Sequence, residues 1–262
     1  MTIKKFAVLG ERCSGTNYLE ELIKLNFGLD YANEYGSKHF FCFRDYNNLP
    51  SNDETLFIGI IRNPIYWINS FSKELYHVPE INRKSMKNFL FNEFYSVCDE
   101  VHDAKKNDIF MFNTKQYVKS YEINKEDLNY MNGKKYKNIF ELRKNKNNYL
   151  MKIMPTKVKN YILINYENLL FNLNNTLEVI MNKFNLIREH DIFMNIQKYK
   201  KTEHYHFIKQ RTVTFDINTI KIIWDNLDEV QELFLGYIKF DNNNTFKTNK
   251  WSGVFIENLS QP

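Results

Sequence analysis

A short apolar run, Phe6-Ala7-Val8-Leu9, leads into the turn Gly10-Glu11-Arg12-Cys13-Ser14-Gly15-Thr16-Asn17-Tyr18. A helical repeat of Leu19, Leu22, Ile23 and Phe27 follows and stops at Gly28. This strand, small-residue loop and helix constrain the chain more than any other stretch of it. The first amides of such a helix have no intrahelical partners and point, with the positive end of the helix dipole, into the loop. The loop therefore suits a phosphate or a chemically similar anion.

Gly10 and Gly15 have the spacing of a nucleoside-triphosphate loop, but Thr16 and Asn17 stand where that loop needs Lys and then Ser or Thr. Without that Lys and that metal-ligating hydroxyl, Mg-NTP hydrolysis is disfavoured. A second element begins at Leu56-Phe57-Ile58-Gly59-Ile60-Ile61, a continuous apolar run of the kind buried on both faces of a parallel sheet. It ends in Arg62-Asn63-Pro64, and a helical pattern then carries Ile65, Ile68, Phe71 and Leu75, with Ser70 on the same helix.

Ser14-Gly15-Thr16-Asn17-Tyr18 resembles the Ser-Gly-Thr-Thr-Trp loop of sulfotransferases, and Arg62-Asn63-Pro64 with Ser70 resembles their Arg-x-Pro motif. The resemblance implies a three-layer α/β/α domain with a mostly parallel central sheet, the P-loop-like sulfotransferase fold. It implies 3′-phosphoadenosine 5′-phosphosulfate (PAPS) as co-substrate, 3′,5′-phosphoadenosine (PAP) as product, and no metal. Arg12 to Tyr18 would cradle the 5′ side, Arg62 would fork onto the 3′-phosphate, and Ser70 would donate a hydroxyl to it. Tyr161 to Asn165 reads as another buried strand, and Tyr166-Glu167-Asn168-Leu169 after it resembles the family's Tyr-Glu-Asp-Leu stretch. That makes Tyr166 a candidate nucleotide contact and Tyr18, in place of the loop Trp, a candidate for stacking on the base. Arg211, in a basic stretch before the last helix, is the candidate that the resemblance implies for a further contact to the 3′-phosphate.

Two departures matter. The family places a cation directly before Ser-Gly-Thr, where this chain has Cys13; Arg12, one residue earlier, and Lys38 are the alternatives for holding the leaving phosphate. A Cys between Arg12 and a helix start also has the surroundings that lower a thiol pKa, although no second catalytic partner accompanies it. The family's general base lies in a Lys-x-His segment. Here His39 follows Lys38 directly, and Glu20, Glu21, Glu74 and His77 are rival bases. The expected reaction is in-line sulfuryl transfer to an acceptor hydroxyl, with an amine as the alternative acceptor, and a saccharide, a phenolic metabolite and a peptide tyrosine are all compatible. A P-loop nucleotide or small-molecule kinase and a non-catalytic nucleotide-binding protein are the alternatives.

With 262 residues the chain can bury a full core as one domain, with an acceptor-side insertion or lid expected around residues 105–150. Cys13, Cys42 and Cys98 are sparse and have no metal-ligand spacing, which points to a reducing, cytoplasmic setting. The apolar run near the N-terminus is too short for a leader, and no stretch approaches a membrane span. The net charge of +5 does not argue for a nucleic-acid partner. Between Lys125 and Asn160, ten basic residues outnumber three acidic ones, which reads as a solvated surface or a dock for an anionic acceptor such as an acidic glycan. The remaining patterns predict a strand over 37–43 and one helix over 80–104. They also predict a helix with Leu173, Leu177, Ile180, Met181 and Phe184 on one face. A last helix starts near Asp216, carries Ile217, Ile220, Trp224, Leu227 and Phe234 on its apolar face, and closes at Gly236-Tyr237.

Overall fold

The computed structural model describes residues 2–46, 52–98, 122–196, 212–239 and 256–257. Four strands, β1 (Lys5–Leu9), β2 (Asp30–Tyr31), β3 (Thr55–Ile61) and β4 (Tyr161–Asn165), form a parallel sheet in the order β2-β1-β3-β4. A two-residue strand, β5 (Ile256–Glu257), runs antiparallel on the outer edge of β4. Alternation along the strands divides the core in two. Phe6, Val8, Ile58, Ile60, Ile162 and Ile164 face one side, and Ala7, Leu9, Phe57, Ile61, Tyr161 and Leu163 the other.

Helices cover both faces, so the fold is a mixed α/β one with the sheet in the middle layer. On the first face α1 (Thr16–Phe27) buries Leu19, Leu22, Ile23 and Phe27. A 12-residue helix is marginal by itself. Burial of those four side chains, at about 1.5–3 kcal/mol each as an upper bound, is what makes it persist. Gly28 ends it in the left-handed region, its N–H returning to the Lys24 carbonyl. On the opposite face lie α2 (Pro64–Phe71), α3 (Glu80–Arg83), α4 (Met86–Phe91) and α5 (Ile139–Asn148). A π-helical turn, Tyr149–Ile153, joins α5 to α6 (Met154–Lys157). The cause is local: Pro155 has no N–H, and its ring would clash with the carbonyl four residues back, so the helix widens just before it. After β4, α7 (Tyr166–Phe171) and α8 (Leu173–Phe184) return to the first face, while α9 (Ile217–Asn226) and α10 (Glu229–Phe234) close the second.

Three segments differ from the sequence expectations. Residues 37–43 form bends and turns, and the second strand is β2 instead. The described part of the 80–104 stretch, residues 80–98, holds two short helices, α3 and α4, in place of one. Ser85 caps α4 by accepting the Asn88 N–H, which starts a new helix where one was expected to continue. Phe94 and Val97 then pair as isolated bridges with Tyr136 and Ile123. The last helix is also divided, because Asp228 caps a fresh start at Glu229, and Ile217 and Phe234 of its supposed buried face are exposed. Of the expected insertion, residues 105–121 lie outside the described ones. Residues 122–138 are anchored on the core through buried Asp127 and Tyr136.

Candidate functional site

The anion loop follows β1 as expected from its residue types. Cys13 and Gly15 both have positive φ, 63° and 93°, and alternate with Ser14, whose N–H donates to the Glu11 carbonyl at 3.1 Å. Such alternation turns successive amides toward one side and makes an anion-binding concavity. Gly15 stands at the N-cap of α1 and supplies no side-chain hydrogen bond to the helix start. A Cβ on Gly15 would come within 2.2 Å of the Tyr166 ring, so Tyr166 lies flush against the loop.

At the end of β3, Arg62 comes to the same place. Its Nη1 donates to the Cys13 carbonyl at 3.0 Å and to Ser70 Oγ at 3.1 Å, and the guanidinium stacks over the Tyr166 ring at 4.8 Å. Arg62 is only 7% exposed, and its Nε has no hydrogen-bond partner among the described residues. An unmet donor on a buried cation is a costly feature unless a ligand completes it. The turn is held rigidly from behind. Asn63 caps α2, and its own N–H donates to the buried Glu167 carboxylate at 2.9 Å, which also accepts from Tyr237 Oη at 3.0 Å. Burial raises the Glu167 carboxyl above its usual range against these bonds.

The segment expected to be a strand packs instead against the start of the loop and the first turns of α1. Gly10 N–H donates to the Lys38 carbonyl at 3.0 Å, and the Gly10 carbonyl accepts from His39 Nδ1 at 2.8 Å. Because a carbonyl can only accept, His39 carries its proton on Nδ1, and Nε2 is the ring's lone-pair nitrogen. Burial is the main force holding His39 neutral and, with Lys38 and Arg12 nearby, it pushes the imidazole down to about 3. The Lys38 ammonium reaches the first turn of α1, donating to Asn17 Oδ1 and, at 2.9 Å, to Glu20.

Arg12 is placed elsewhere. Its guanidinium donates to Glu11 at 2.8 Å, the Tyr76 carbonyl at 3.1 Å and Asp127 at 3.2 Å, and it stacks 4.7 Å from the centre of the Phe71 ring. With those partners it is a buried structural cation rather than a free hand for the loop. Tyr18 likewise differs from the role expected of it: it is 1% exposed, sits edge-on to Tyr166 and donates to Asn195, so no face is open to a base. The Cys13 thiol is not activated, since burial pushes it up to about 12 despite nearby Arg62. Among the rival bases, Glu20 is engaged by Lys24 and Lys38, and His77 donates its Nδ1–H to the Val97 carbonyl. Arg211 lies outside the described residues. Its neighbour Thr212 accepts from Asn69, the residue before Ser70.

The site thus gathers Cys13, Ser14, Gly15, Thr16, Asn17, Lys38, His39, Arg62, Ser70 and Tyr166 about one loop. Sequence reasoning missed what supports it. Lys146, read as part of a charged run, is 2% exposed and pairs with Glu11 and Asp127 while donating to the His39 carbonyl at 2.8 Å. Arg143, from the same run, is buried in a bidentate pair with Glu232. A readable signal existed for Lys146: it stands at helical spacing from Ile139, Leu142 and Leu150, on the apolar stripe of its helix.

No family model matches this chain, and no curated protein matches it in sequence.

Proposed function

We propose that the chain is a sulfotransferase that binds PAPS at the loop between β1 and α1 and moves the sulfuryl group to an acceptor hydroxyl. The observation that carries this reading is Arg62: a buried cation tied to the loop at Cys13 and to Ser70, its Nε donor unmet among the described residues, beside a helix start whose N-cap is a glycine. These residues fit an anionic nucleotide with phosphates at two places. Bound there, the phosphosulfate supplies an electrophilic sulfur and a phosphate leaving group. Arg62 and Ser70 hold the 3′-phosphate. The first amides of α1 and the Lys38 ammonium stabilise charge on the 5′ side, and Arg12, already satisfied by protein partners, takes no direct part. Gly10 fixes the His39 ring through Nδ1–H and leaves Nε2 as the acceptor for the hydroxyl's proton, a role that needs the anionic nucleotide beside it to raise the imidazole from its burial-lowered value.

One observation favours a second reading. Lys38 brings an ammonium to the first turn of α1, which would also suit the phosphates of Mg-ATP in a small-molecule kinase. Melting temperature with PAP, with adenosine 5′-phosphate and with Mg-ATP separates the two. Saturation to a hundred times the dissociation constant adds about 2.7 kcal/mol, which for a chain of this size raises Tm by ~5 °C. The sulfotransferase reading expects that rise with PAP, a smaller one with adenosine 5′-phosphate, and loss of the PAP effect in Arg62→Ala. An equal or larger rise with Mg-ATP, or no response to any of the three, refutes it.

A further inference from the structure

Lys146 closes a cluster of four charges drawn from separate segments: Glu11 and Arg12 in the loop, Asp127 in the 122–138 segment, and Lys146 on α5. All four are buried, at 7%, 4%, 1% and 2% exposure, and their charges cancel. An ammonium has three donors and no acceptor. Here it donates to the backbone carbonyl of His39 and is ion-paired with the Glu11 and Asp127 carboxylates on its other sides. Glu11 is adjacent to Gly10, the residue whose carbonyl takes the His39 Nδ1–H. The loop and His39 are therefore clamped to one another twice, directly at Gly10 and through Lys146 behind it. A planar guanidinium could not serve three partners arranged around a single nitrogen. The ring of Phe40 next to His39 lies 5.7 Å from the same ammonium, which ties the whole turn to α5.

We infer that Lys146 is a positioning residue that fixes His39 in its Nδ1–H tautomer, with Nε2 held beside the anion loop. The inference rests on the reading of His39 as the proton acceptor. The charged groups facing His39 are Lys38, Glu11 and Arg12, together with Lys146 at its carbonyl. Removing Lys146 alone strands two buried carboxylates. The informative variant is therefore the charge-balanced pair Lys146→Met with Asp127→Asn, which leaves Arg12 matched by Glu11 and withdraws the donor from His39.

The readout is the ring nitrogen spectrum of ¹⁵N-histidine-labelled protein against pH, with His39 assigned by its loss in His39→Asn. Wild type is expected to show a protonated Nδ1, an unprotonated Nε2, and no titration down to about pH 4. The folded double variant is expected to show both tautomers in exchange and a midpoint higher by at least one pH unit. An unchanged tautomer and midpoint in the folded double variant overturns the inference, as does an Nε2–H tautomer in wild type. PAP titration of the same wild-type sample tests the parent reading separately. Absence of nucleotide binding refutes the sulfotransferase assignment and leaves the His39 result to be judged on its own spectrum.

Discussion

Neutral His39 makes the protein's stability depend on pH in a defined window. Burial first, with help from Lys38 and Arg12, lowers the folded imidazole to about 3 against 6.5 for the open chain. Between those values the unfolded chain binds a proton that the native state refuses, so stability rises with pH and is lost as pH falls from about 6.5 toward 3. At 1.36 kcal/mol per pH unit, the loss between about pH 7.5 and pH 4.5 comes to ~2.6 kcal/mol, an upper figure for a half-buried ring. The window stops above the range in which Glu11 matters. Burial would raise that carboxyl, but Lys146 and Arg12 hold it at about 2, so its contribution disappears only as pH falls below 4.5. The assay is urea unfolding of wild type and His39→Asn at intervals across the window. Groups common to both proteins cancel, including Asp127, whose raised carboxyl acts in the opposite direction. The expected result is a steeper pH dependence in wild type by about 2 kcal/mol over the window. Parallel pH profiles for the two proteins would refute the argument that this imidazole is kept neutral.

Three further outcomes follow from contacts already described. Gly15→Ala should cost about 2–4 kcal/mol in chemical denaturation, because a Cβ there meets the Tyr166 ring at a φ of 93°, and Tyr166→Ala in the same chain should recover only the steric part. Arg143→Met should cost about 3–5 kcal/mol by leaving the Glu232 carboxylate buried and unmatched, whereas Arg143→Met with Glu232→Leu should return close to wild type; a single variant as stable as wild type would count against the pair. Ser70→Ala should weaken PAP binding by about 1 kcal/mol, some fivefold in calorimetry, without changing adenosine 5′-phosphate binding; an equal loss for both nucleotides would move Ser70 away from the 3′-phosphate.

The elements legible in the sequence are those whose periodicity decides their burial. β1, β3 and β4 are unbroken apolar runs flanked by turns, and α1 and α8 carry clear helical stripes, so local pattern and tertiary position agree. Residues 37–43 misled because their aromatic composition is strand-like. Phe40, Phe41 and Cys42 are indeed buried, but the backbone around them is spent on Gly10 and Lys146 rather than on a neighbouring strand. Arg12 misled for a different reason. Its neighbours in sequence are loop residues, while one of the acceptors that decide its direction, Asp127, stands 115 positions away. Lys146 was hidden among exposed lysines such as Lys144, although its spacing put it on the inward stripe.

The four-charge cluster behind the loop also bears on how this sequence can drift. Each of Glu11, Arg12, Asp127 and Lys146 neutralises another out of contact with water, so any single replacement strands a buried charge. Lineages descended from this chain should therefore keep all four together or exchange them as a set for apolar residues of similar volume. Two residues on the loop, one more than a hundred positions downstream and one on α5 would then vary as a unit, while the exposed lysines around Lys146 come and go independently.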